Sequence, residues 1–205
     1  MLSLKRQLIM TLNPWYLSLF FLLTYLLSAI PFSVLVTKIK QIDLRGIGSG
    51  NIGATNVYRA MGIRYAVLVF LLDAVKGGLP TYIIQDFTTD PWIHMVIGLT
   101  AIIGHSLSCF VKFKGGKGVA TGVGVLFALS PKIAAIVCLI AFIIIKFTRY
   151  VALASIVCAC TAPILFFVMG YPQAYSYVLS IIAIFITIRH KGNINRLLSG
   201  TENKI

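Results

Sequence analysis

The chain alternates long apolar stretches with short segments that hold most of its glycines and basic residues. A helix that crosses a bilayer needs about 20 mostly apolar residues, because hydrocarbon offers its backbone no outside hydrogen-bonding partner. Such stretches fall at residues 14–37, 65–85 and 92–111, then at 119–129, 133–146, 151–169 and 174–188. The pattern predicts an all-α integral membrane protein, a single membrane domain over residues 1–205 with seven transmembrane helices. The fourth and fifth are short and joined by a tight turn at Ser130, Pro131 and Lys132. Counting those two as partial insertions gives five spans instead. Either number is odd and puts the termini on opposite sides.

Composition narrows the class. Hydrophobic residues make up 59% and charged residues 11%, against about a quarter charged in a soluble domain. Mean hydropathy is +0.94. Disorder is excluded by so much buriable surface, and no nucleic-acid partner is expected of a chain this apolar. The four cysteines (Cys109, Cys138, Cys158, Cys160) lie in apolar runs without zinc-like spacing and read as small hydrophobes.

Charge orients the spans. Eighteen Lys and Arg face five acids, a net +13. With the N-terminus outside, the cytoplasmic segments 38–64, 112–118 and 189–205, together with Lys146 and Arg149, hold fourteen of the eighteen cations. Cytoplasmic loops carry such an excess, so the orientation is N-terminus outside, C-terminus cytoplasmic. Residues 1–13 then form an external tail, where Lys5 and Arg6 dissent unless translation starts at Met10. No A-x-A-like cleavage site follows, so the first apolar stretch reads as an uncleaved span.

Three polar clusters fall on the predicted cytoplasmic side: DLRGIGSGNIGATNVYR at 43–59, GHSLSCFVKFKGGKGVAT at 104–121, and RHKGNINRLLSGTE at 189–202. Their convergence points to one site built from loops. In the first, glycines let the backbone approach a ligand closely. Ser49, Asn51, Thr55 and Asn56 add neutral donors there, and Arg59 a fork-shaped cation suited to phosphate. In the second, Lys114, Gly115, Gly116, Lys117 and Gly118 lead into an apolar helix, an arrangement that aims free N–H groups at an anion. It is not an ATP-binding P-loop, since Gly118 follows Lys117 where Ser or Thr is needed. In the third, Arg189, Asn193 and Arg196 would share one helix face. His105 is a candidate hydrogen-bonding strut. Glu202, the lone glutamate, is expected to pair structurally with a cation, and Asp73 with Lys76 inside the second span.

Absences bear on mechanism. No pair of acids is placed to hold Mg²⁺ among the three clusters, so metal-dependent phosphotransfer is unsupported and no metal or cofactor is expected. The acyltransferase signature of His followed after four residues by Asp fails at His94, His105 and His190, which lead to Leu99, Phe110 and Asn195. No G-x-S-x-G elbow is present.

Together the clusters resemble the three motifs of the PlsY family, bacterial membrane acyltransferases that use acyl-phosphate as donor. The resemblance spans about residues 15–204 and includes Asp43, Arg45, Asp73, Lys76 and Gly200. Two departures are Ser108, where members usually carry proline, and Ser28 and Ser33, where they tend to have glycine. The resemblance implies transfer of a fatty acyl group to the 1-hydroxyl of glycerol 3-phosphate. Its partners are those two substrates and membrane lipid, and its place is the bacterial cytoplasmic membrane with the site facing the cytoplasm. It implies a catalytic set of Ser49, Arg59, Lys117, His190 and Asn193. Gly50, Asn51, Thr55, Asn56, Lys114, Gly115, Gly116, Gly118, Ser155 and Arg196 would bind substrate around it, with His105 and Glu202 as supports. Whether His190 or a substrate phosphate oxygen takes the hydroxyl proton stays open. Two rivals stay open on the residues alone: a small anion transporter, and an acyltransferase drawing on acyl-CoA or acyl carrier protein.

Overall fold

A computed structural model describes residues 13–205. The external tail expected at residues 1–13, with Lys5, Arg6 and Met10, lies outside the described residues except for Asn13. The architecture is all-helical, and its elements start where capping chemistry permits. Asn13, Asp90 and Ser130 each accept a backbone N–H with their side chains, and proline occupies the first turn after each. Proline suits that position because its missing N–H is unpaired there anyway.

The first apolar stretch is two helices, α1 (Pro14–Ala29) and α2 (Phe32–Lys38). They part at Pro31, which cannot continue the backbone ladder. This corrects the uninterrupted span expected from hydropathy. The residues around the break are tied by hydroxyls at the three positions that depart from the family pattern. Ser28 donates to Lys76 O at 3.0 Å, Ser33 to Ile52 O at 3.0 Å and Ser108 to Ala29 O at 2.5 Å.

A short 3-10 turn at Leu44–Gly46 leads to α3 (Ala54–Met61), a helix inside the first polar cluster. Then follow α4 (Ile63–Ile84), α5 (Pro91–Ser106), α6 (Val119–Leu129), α7 (Pro131–Thr148), α8 (Val151–Val168), α9 (Gln173–Arg189) and α10 (Lys191–Leu198). Pro14–Lys38, Ile63–Ile84, Pro91–Val111, Pro131–Thr148 and Val151–Val168 are long and apolar enough to cross a membrane. The helix at Pro131 has 18 residues, so the expectation of a short fifth span is corrected: it begins at the proline. The shorter apolar helices are α6 and α9. At about 1.5 Å per residue, the 11 residues of α6 reach about half the hydrocarbon thickness.

Close packing holds α6 inside the bundle. A Cβ on Gly77 would overlap Thr121, and one on Gly124 the Ala74 carbonyl, so α4 and α6 meet backbone to backbone. Small residues allow that approach in membranes, where dispersion replaces the hydrophobic drive. The main core joins α5 through α9 around Met95, Ile102, Val125, Ile133, Phe166 and Leu179. Leu22, Leu71, Phe142, Phe167 and Ile184 point outward, as lipid-facing side chains should.

Candidate active site

α3, the first half of α4, the end of α5, the starts of α6 and α8 and the end of α9 meet in the bundle. There they enclose a cavity of about 150 Å³. The first polar cluster folds over it because Asn56 ties that loop to itself. Its Nδ2 donates to Leu44 O and Ile47 O, each at 2.9 Å, and its Oδ1 accepts from Ser49 N–H at 3.2 Å. Asn56 is fully buried, so its side chain organises the loop and has no donor left for a ligand. Gly48 (φ +54°) has to be glycine: a Cβ there would lie 2.5 Å from Asn56 Oδ1 and 3.0 Å from Arg59 Cδ.

Twelve residues singled out in the sequence line this cavity: Ser49, Asn51, Thr55, Asn56, Arg59, His105, Lys117, Gly118, Ser155, His190, Asn193 and Glu202. They come from all three clusters and from α8. Five do not. Gly50, Lys114 and Gly115 line a separate concavity with Arg45, Asn51, Phe113 and Arg189. Gly116 packs against the His105 ring, and Arg196 is engaged by Glu202 at 2.8 Å. The site is therefore narrower than the continuous phosphate cradle expected from the glycine run. Asp73 and Asn203 also line it. Sequence reasoning placed Asp73 only in a structural pair, and the one available signal was an intramembrane acid in the same chain as His105.

One network sets the electrostatics. Lys117 Nζ donates to Asn193 Oδ1, Asn193 Nδ2 to Glu202 Oε1 at 2.6 Å, and Arg196 Nε to Glu202 Oε2 at 2.8 Å. Arg59 Nη2 donates to Asn203 O at 3.2 Å. Burial pulls the Lys117 ammonium down to about 8; Glu202 opposes this, while Arg196, Arg189 and Arg59 add to it. Arg59 is also lowered, chiefly by burial. His190 falls to about 4, again mainly through burial. Its Nδ1 lies 2.8 Å from Ile186 O. A carbonyl can only accept, so Nδ1 carries the proton and Nε2 keeps a lone pair. No group of three His, Cys, Asp or Glu able to hold a metal ion occurs among the described residues.

A second, apolar groove adjoins the cavity and shares Ala54, Thr55, Phe70 and Val151 with it. It has about 560 Å³ and runs past Tyr58, Ile63, Val67 and Ile145, between α3–α4 and α7–α8.

These features define a helical integral membrane protein with a cation-lined polar cavity opening sideways into an apolar groove. The chain belongs to the glycerol-3-phosphate acyltransferase family, which residues 18–200 match. Among its relatives is the glycerol-3-phosphate acyltransferase of Aquifex aeolicus, 46% identical over 181 residues, 88% of this chain and 94% of that one. The enzyme of that name from Fusobacterium nucleatum is 47% identical over 187 residues, 90% and 96% respectively. Among solved structures, the glycerol 3-phosphate form of PlsY, an integral membrane glycerol 3-phosphate acyltransferase, superimposes with a TM-score of 0.89. It shares 44% identity, with 92% of this chain and 95% of that one covered. The lysophosphatidic acid form gives 0.87 at 43% identity.

Proposed function

We propose that the protein transfers a fatty acyl group from acyl-phosphate to the 1-hydroxyl of glycerol 3-phosphate, releasing 1-acylglycerol 3-phosphate and inorganic phosphate. The observation that carries this reading is the shared wall between the cation-lined cavity and the apolar groove. A ligand with a phosphate on an aliphatic chain fits both halves at once. The glycerol 3-phosphate form of the related structure agrees with the polar half, and its lysophosphatidic acid form with both.

In the reaction the glycerol hydroxyl oxygen bonds to the acyl carbon, and the bond from that carbon to the phosphate oxygen breaks. Phosphate leaves with the bonding electrons. A mixed anhydride is already activated, so orientation and charge neutralisation supply most of the rate. Arg59 and Lys117 neutralise phosphate, Ser49 donates to it, and Asn193, held by Glu202, places glycerol 3-phosphate. Asn51, Thr55, Gly118 and Ser155 complete the wall. His190 Nε2 accepts from the attacking hydroxyl. At about 4 His190 is a poorer proton acceptor than a phosphomonoester oxygen, whose second pKa is about 6. In this reading the proton passes to a substrate phosphate, with His190 orienting the hydroxyl.

The membrane arrangement in this reading is seven membrane helices, α6 reaching only part way, within a single domain in a bacterial cytoplasmic membrane. Supporting it, α5 and α9 end at the cavity while α6 and α8 begin there, and α7 ends at the adjoining groove. With fourteen cations in the segments on that side, the cavity faces the cytoplasm and the N-terminus lies outside. The positional claim is tested by product analysis. Acylation of the 1-hydroxyl alone is expected, and acylation at the 2-hydroxyl would contradict it.

A further inference from the structure

The cavity floor holds a buried polar pair, Asp73 Oδ1 and His105 Nδ1, with no hydrogen bond between them. They face each other at 3.6 Å. Lys76 Nζ sits 2.8 Å from the same Asp73 oxygen and donates to Ile30 O at 2.8 Å, at the break in the first span. One carboxylate thus lies between a lysine committed to the backbone at Ile30 and an imidazole at the end of α5.

The far side of His105 meets the loop that delivers Lys117. A Cβ on Gly116 would overlap the His105 ring at Nε2, Cε1 and Cδ2, and one on Gly115 would overlap the His105 carbonyl. Gly115 N–H donates to Ser106 O at 3.0 Å. From the opposite side Arg189 Nη2 donates to Gly115 O at 3.0 Å and to Gly116 O at 3.1 Å. The two glycines are clamped between His105 and Arg189, and the next residue is Lys117.

We infer that Asp73 and His105 are positioning residues, a buried pair whose imidazole backs Gly115 and Gly116 and so fixes where the Lys117 ammonium stands. At 3.6 Å the carboxylate acts on the ring by charge, favouring the tautomer and orientation with Nδ1–H toward Asp73 and Nε2 toward Gly116. A binding group must be held within about 0.5 Å, and two adjacent glycines would otherwise leave the Lys117 backbone loose. This rests on the reading that Lys117 holds a substrate phosphate.

The test compares the purified full-length protein with His105→Ala, Asp73→Asn/Lys76→Met, the combination of all three changes, Gly116→Ala and Gly116→Ala/His105→Ala. The Asp73→Asn/Lys76→Met variant leaves no unpaired lysine in the membrane, and its melting temperature checks that it folds. Inorganic phosphate affinity is measured by calorimetry beside KM, kcat and melting temperature. His105→Ala and Asp73→Asn/Lys76→Met are each expected to weaken phosphate binding about tenfold or more, with KM rising far more than kcat falls. The combined variant should be no worse than His105→Ala. Gly116→Ala should lose phosphate binding, and removing the His105 ring should restore part of it. Unchanged phosphate affinity in a wild type that turns over glycerol 3-phosphate, or a Gly116→Ala/His105→Ala variant weaker than either parent, overturns the inference and leaves the function standing. Weakened phosphate binding in a protein without turnover upholds the inference and rejects the function.

Discussion

Asn193 gives its amide hydrogen to Glu202 at 2.6 Å, which turns its carbonyl oxygen toward the Lys117 ammonium. The one glutamate of the chain thus fixes the orientation of an amide whose two ends would otherwise be interchangeable, and it holds Arg196 as well.

Replacing Glu202 with Ala strands a buried amide and a half-exposed guanidinium. A hydrogen-bonding group left buried without its partner costs about 1–3 kcal/mol. The variant should melt several degrees lower in detergent and lose activity, while Glu202→Gln, able to accept one of the two bonds, should fall between. Wild-type melting and turnover in Glu202→Ala would contradict this role.

The Lys117 ammonium, lowered to about 8 by burial, is charged below that pH and neutral above it. Phosphate capture by free enzyme should therefore fall about tenfold per pH unit above 8, seen as an alkaline limb in kcat/KM. Lys117→Arg, with a guanidinium that stays charged, should lower the plateau and remove the limb. A limb that persists in Lys117→Arg would assign it to another group.

His190 stays neutral through the working range because its ordinary value is pulled down to about 4. No acid limb from this residue should appear near 6.5. His190→Ala should cost about 10²-fold in kcat through loss of orientation, and His190→Gln, which retains an acceptor, should recover part of it. Near-wild-type turnover in His190→Ala would remove His190 from the mechanism.

Gly48→Ala places a methyl group on Asn56 Oδ1 in a left-handed backbone conformation. Left-handed geometry alone costs a non-glycine residue about 1–2 kcal/mol. Activity should drop sharply with little change in melting temperature, because the loop covers the site rather than the core. Circular dichroism and turnover, measured together, check this.

The parts of the fold read correctly from sequence are those fixed by local chemistry. Apolar runs mark the helices, and the glycine-lysine segment does open α6 at Val119. The break at Pro31 was visible as a residue but hidden by the continuous hydropathy on both sides. The fifth span looked short because Pro131 and Lys132 read as a turn, whereas proline at a first helical turn extends the helix. Within the site, residue type pointed to Ser49, Arg59 and Lys117, and the family resemblance added His190 and Asn193; all five line the cavity. Asn56 lines the cavity too, with its amide hydrogens turned back into its own loop. The Asp73–His105 approach and the separation of Lys114 from Lys117 arise only when α4 packs on α5 and Arg189 clamps the glycines. No spacing along the chain encodes those.

The central claim is that a phosphate-bearing acyl donor is used. Purified protein would be given labelled glycerol 3-phosphate with acyl-phosphate, acyl-CoA or acyl carrier protein as donor, in separate reactions without added metal. Labelled 1-acylglycerol 3-phosphate from acyl-phosphate alone is the result expected. Product from acyl-CoA or acyl carrier protein, with none from acyl-phosphate, would contradict it.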